Sequence, residues 1–77
     1  MKQPIQFSPE SELYEIGTIV SPKIDTENKF IILGYIVDAV DNNGFVTFYR
    51  YNARGSDGYF IFDPIEITEC LVYKNNN

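Results

Sequence analysis

Few side chains in this chain are able to do chemistry. One thiol, Cys70, and four aspartates near expected strand ends, Asp38, Asp41, Asp57 and Asp63, are the candidates for nucleophilic or acid–base work in a sequence without histidine. A nucleophile needs a base beside it, and a carboxylate pair needs a cleft that holds the two about 5–9 Å apart. Cys70 lies between Glu69 and Leu71 in an apolar stretch, with no His or nearby Lys to lower its pKa, and reads as a buried structural thiol. In 77 residues there is little room for a substrate cleft, so the aspartates read as solvated turn carboxylates. The usual zinc sets are missing. Asp38–Gly44 fails as a calcium loop: aligned on its glycine, the first ligand position is Ala39 and the last is Arg50. No phosphate loop or dinucleotide fingerprint is present. The chain is therefore read as non-catalytic, without metal or cofactor.

Recognition chemistry remains. The stretch GFVTFYRYNARGSDGYFIF, Gly44 to Phe62, interleaves aromatic rings with Arg50 and Arg54. Side chains alternate across a strand. That alternation assigns Val46, Phe48, Phe60 and Phe62 to the core, and Tyr49, Tyr51 and Tyr59 to the surface, where a Tyr buries its ring and keeps its hydroxyl wet. Arg50 falls on the core-side parity and is expected at the rim, stem buried and head in solvent. Arg54 belongs to the adjoining loop, and Asp38 shares the outward side with Tyr49 and Tyr51. Tyr and Arg are enriched in binding hot spots. The candidate binding residues are thus Tyr49, Tyr51, Asp38, Arg50, Arg54 and Tyr59. The competing account is that the rings only cover a thin sheet, because a domain this small buries roughly 60% of its unfolded surface.

The elements that must position these residues are strands. Tyr14–Pro22 is the first, ended by a proline that cannot donate to a ladder. Lys29–Gly44 holds the second, apolar on both parities and rich in β-branched residues. A strand that bends at Gly34 buries each face over part of its length. Asn43-Gly44 suggests a type I′ hairpin turn, which pairs Ala39 with Phe48 and Asp38 with Tyr49. The competing turn, type I with Gly44 as a bulge, sets Asp38 opposite Phe48 and exchanges the faces. Phe45–Ala53 is the third strand, Arg54–Gly58 a loop, Tyr59–Asp63 the fourth strand, Pro64–Ile67 one tight turn and Thr68–Tyr73 the last strand. Ser8–Leu13 reads as a single helical turn capped by Ser8. Residues 74–77 read as a disordered polar tail, leaving one domain over residues 1–73.

This order of elements, carried by IGTIV (Ile16 to Val20), LGYIVDAVDNNGFVTFYRY (Leu33 to Tyr51) and FDPIEI (Phe62 to Ile67), resembles that of SH3-like barrels of the KOW, Tudor and small bacterial kind. The resemblance implies an all-β, five-stranded antiparallel barrel that binds rather than catalyses. It lacks the Trp and the ALYDY-like opening of proline-recognising SH3 domains, and the basic charge of KOW-type RNA readers. Fold likeness alone assigns no function.

Net charge narrows the partners. The chain carries −5 with only six Lys and Arg, which disfavours duplex nucleic acid, whose binding depends on releasing phosphate counterions. The expected partner is a protein, a basic one or a second copy forming a homodimer. Single-stranded nucleic acid stacked on the same rings is the alternative. One cysteine makes no intrachain disulfide, and neither a signal-peptide core nor a stretch of about 20 apolar residues is visible. A cytoplasmic protein from a low-GC bacterium or phage is expected, with no membrane segment.

Overall fold

The computed structural model describes residues 4–9, 11 and 13–73. Five strands form one antiparallel sheet: β1 (Ile19–Pro22), β2 (Phe30–Val40), β3 (Val46–Gly55), β4 (Gly58–Phe62) and β5 (Cys70–Tyr73), with one short helix, α1 (Pro64–Thr68), between the last two. The spatial order is β4-β3-β2-β1-β5. The class is all-β, as the sequence leads one to expect, but the sheet does not close into a barrel. No ladder joins β4 to β5 among the described residues. Instead α1 connects the two strands in the chain and contributes a fully buried Ile67 to the core, with contacts to β3 and β4.

The helix lies late in the chain, where sequence suggests only a tight turn. Pro64 supplies a preset φ at the first helical position, and the Glu66 carboxylate reaches back to accept the Asp63 N–H at 2.9 Å. Near the N-terminus, the Ser11 N–H donates to the Ser8 carbonyl at 2.9 Å and closes a turn. Glu10 and Glu12 of the expected helical turn, and the expected tail, lie outside the described residues. The N-terminal segment then docks alongside β3: Gln6 donates to the Gly44 carbonyl and accepts from the Val46 N–H.

β2 carries the decisive irregularity. Its pairing with β3 shifts between Ile32 and Gly34, an extra residue that reverses which parity faces inward. Before the shift Phe30 and Ile32 face the core; after it Tyr35 does. Both parities are therefore buried over part of the strand, as its apolar pattern requires.

The hairpin turn is the bulged one. Gly44 has φ +85° while, among the described residues, no residue other than glycine adopts positive φ, which excludes type I′ at Asn43-Gly44. Asp41 accepts the Gly44 N–H at 3.1 Å and donates its own to the Phe45 carbonyl at 2.8 Å. Val37 then pairs with Tyr49, Ile36 with Arg50 and Tyr35 with Tyr51. Ala39 still meets Phe48, but as a local slip between two register shifts, and the expected Asp38–Tyr49 pair does not form.

The core is thin: Val20, Ile32, Tyr51, Ala53, Phe62, Ile67 and Cys70, with Leu13, Tyr14, Phe30, Tyr35 and Tyr49 packed against it. Tyr51 is its largest fully buried side chain. A small domain without Trp fills its interior with tyrosine rings.

Candidate functional site

The register divides β3 into two faces. Tyr49, Tyr51 and Ala53 point to the core side; Phe48, Arg50, Asn52 and Arg54 point away from it. This reverses the expected assignment of Tyr49, Tyr51, Phe48 and Arg50. Tyr51 is 1% exposed and Phe48 is 69% exposed, while Arg50 leaves the core-side parity for the outer face. Tyr49 is half-buried and packs edge-on against Phe7 and Tyr51, with ring centres 5.4 and 5.7 Å away. The cause is the turn at Gly44, which aligns Tyr49 and Tyr51 with the inward-facing end of β2.

The buried Tyr51 and the half-buried Tyr14, Tyr35 and Tyr49 form one cluster. The ring of Tyr35 lies 5.6 Å from that of Tyr51, and the ring of Tyr14 lies 6.1 Å from it. The Tyr35 hydroxyl donates to the Tyr14 carbonyl, and the Tyr51 hydroxyl accepts the Tyr14 N–H at 3.4 Å. Burial pushes the Tyr51 hydroxyl up to about 12, only partly opposed by that backbone donor. Burial also raises Tyr35, with the Glu15 carboxylate adding to it. These rings hold the N-terminal segment onto the sheet.

The outer face gathers the other four predicted residues. Arg50 donates from Nε and Nη2 to the two oxygens of Asp38, each at 2.8 Å, a bidentate pair. Those hydrogen bonds hold the Asp38 carboxyl below its ordinary value and raise the guanidinium. Arg54, a residue of β3 rather than of a loop, lies over the ring of Tyr59, its cross-strand partner on β4, at 5.7 Å. Tyr59 is 70% exposed, on the surface as its alternation predicts.

Two exposed apolar side chains complete this face, of which Phe48 was expected in the core. Phe48 lines a groove of about 520 Å³ together with Arg50, Asp38 and the exposed Ile65 of α1. Ile61, 44% exposed, pairs with Asn52 beside Tyr59. The signal for Phe48 was present in the competing turn type, since a bulge at Gly44 exchanges the faces.

The remaining chemical candidates have local roles. Asp41 Oδ1 accepts the Asn43 and Phe45 N–H groups at 2.8 and 2.9 Å, closing the turn. Asp63 precedes α1 as its cap residue. Cys70 is buried, its thiol raised first by burial and then by Glu66 and Glu69. Among the described residues no three of His, Cys, Asp or Glu gather into a set able to hold a metal ion, and no helix is long and apolar enough to cross a membrane. No known protein family, curated protein or solved structure matches the chain.

Proposed function

We propose that this chain is a non-catalytic protein-interaction module of the SH3-like type, and that it contacts a protein partner through the outer face of its sheet. The strand order, with a short helix between β4 and β5, supports the resemblance drawn from sequence. The observation that carries the reading is the exposure of Phe48 and Tyr59, 69% and 70%, on the same face as Arg50 and Arg54. Large rings and arginines placed together in the open are the residues that anchor protein interfaces. A single exposed ring needs no explanation; an apolar group rimmed by paired charges does.

A basic partner suits the net charge of −5. The single-stranded nucleic-acid alternative needs several rings free to stack bases. Tyr49 and Tyr51, the rings that alternative relies on, are packed against other rings. Immobilised protein, incubated with lysate of the source cell, tests the reading. Wild type is expected to retain a defined protein that a Tyr59→Ala/Arg54→Ala double variant loses. Equal recovery by a folded double variant overturns the outer face as the contact.

A further inference from the structure

β4 and β5 stand at opposite ends of the sheet order, and the outer edge of each is unpaired among the described residues. β4, GYFIF, lacks three of the usual protections of an edge strand: it has no Lys, no Pro, and no bulge in its pairing with β3. It is apolar on both faces. Tyr59 and Ile61 point outward, while Phe60, 43% exposed, points to the core side.

Beside that inner side opens a groove of about 490 Å³, in the gap where the sheet fails to close. Phe60 and Phe62 form one wall; Pro22 and Ile24 and the buried Cys70 form the other. An open strand edge next to an apolar groove supplies both halves of recognition by strand addition. The edge gives backbone hydrogen bonds, and the groove takes every second side chain.

Charge selects the occupant. Asp57 and Asp63 flank β4 at its two ends, and Glu66 and Glu69 border the groove against a single Lys23. Two β4 strands paired antiparallel about Phe60 would set Asp57 of each copy against Asp63 of the other, in chains that each carry −5. Like charges opposed across a strand pair are destabilising. A basic segment meets the same carboxylates favourably.

Resting on the protein-binding reading above, we propose that β4 accepts an extended segment of a basic partner protein as an added strand. Alternate apolar side chains of that segment enter the groove against Phe60 and Phe62, and Lys or Arg at its ends meet Asp57 and Asp63.

The probe is the capped peptide acetyl-Lys-Val-Thr-Ile-Thr-Val-Lys-amide. It is titrated into the full chain to about 5 mM, which captures millimolar affinity, with backbone amide signals followed by NMR. Saturable shifts are expected along Gly58–Phe62. A version N-methylated at alternate backbone nitrogens, and a version with Glu for both Lys, are each expected to bind at least about tenfold more weakly. Ile61→Lys is expected to keep a dispersed spectrum and lose the shifts, since a charge on an edge strand opposes pairing. The proposal is overturned by the absence of saturable shifts, by undiminished binding of the N-methylated peptide, or by a native dimer whose interface is β4. Shifts confined to the surroundings of Phe48 and Arg50 also overturn strand addition, but leave the protein-binding reading standing. Conversely, shifts along β4 with no partner lost by the Tyr59→Ala/Arg54→Ala variant overturn the outer-face reading alone.

Discussion

The guanidinium of Arg50 and the carboxylate of Asp38 form a two-pronged pair on the outer face of the sheet, both contacts at 2.8 Å. The pair draws together the bulged end of β2 and the middle of β3, next to the exposed ring of Phe48. It also sets a pH dependence. A carboxyl whose folded pKa is depressed contributes stability above its unfolded value, and that contribution is lost as pH falls through the folded value. Asp38 is therefore expected to titrate below the ordinary aspartate value of 3.8 in the folded protein. Arg50→Gln should return it to the ordinary range. Carboxyl-detected NMR titration of both proteins measures this; an unshifted Asp38 in wild type contradicts the pair.

Stability should follow the two faces of β3. Tyr51→Ala removes the largest buried side chain and is expected to cost about 3–5 kcal/mol. Tyr51→Phe loses the long hydrogen bond from the Tyr14 N–H and the hydroxyl's interaction with Tyr49, and is expected to cost about 0.5–1.5 kcal/mol. Phe48→Ala, on the exposed face, should stay within about 0.5 kcal/mol. Urea denaturation gives all three values. A Phe48→Ala cost as large as that of Tyr51→Ala would reverse the assignment of the faces.

Alkaline pH should unfold the tyrosine cluster. The phenols of Tyr51 and Tyr35 are held neutral in the folded state, Tyr51 up to about 12. A group whose folded pKa is raised contributes stability that is intact below its unfolded value, near 10, and declines as pH rises from there toward the folded value. Chemical stability measured between pH 9 and 12 is expected to fall across that window. In Tyr51→Phe the fall should be shallower. An identical slope in the variant would place the linkage elsewhere.

Glycine positions separate close approach from mere irregularity. A Cβ built at Gly55 would lie 2.6 Å from Phe30 Cε1 and 2.7 Å from Cδ1. That ring is held by Phe60 and Phe62, with centres 5.4 and 5.2 Å away, so it has little room to move. Gly55→Ala is expected to cost about 1–3 kcal/mol through overpacking. At Gly34 a Cβ meets nothing within 4 Å, and Gly34→Ala should be nearly neutral. Thermal unfolding distinguishes them, because about 1 kcal/mol moves the midpoint of a domain this size by about 4–8 °C.

Much of the fold was legible because alternation and turn residues act locally. The all-β class, the long irregular β2, the hairpin at Asp41–Gly44 and the chain order of the strands follow from β-branched runs and punctuating Gly, Pro and Asn. What escaped was the choice between two turns built on the same residues. The choice rests on whether Asn43 or only Gly44 takes positive φ, a preference too small for sequence to decide, yet it turns every side chain of β3 over. Tyr49 and Tyr51 went inward and Phe48 and Arg50 outward for that reason. Tyr59 escaped the inversion because β4 pairs with β3 through a separate turn. The failure to close was equally non-local: β4 and β5 form no ladder among the described residues, and pairing between strands at opposite ends of a sheet leaves no local pattern to read.

The proposed contact surface is the outer face of β3 and β4. Calorimetric titration of the retained partner with folded variants tests it most directly. Phe48→Asp and Tyr59→Ala are expected to weaken binding by at least about tenfold each, as removal of an anchor does, while Tyr49→Phe leaves it unchanged. Affinities of Phe48→Asp and Tyr59→Ala indistinguishable from wild type would contradict it.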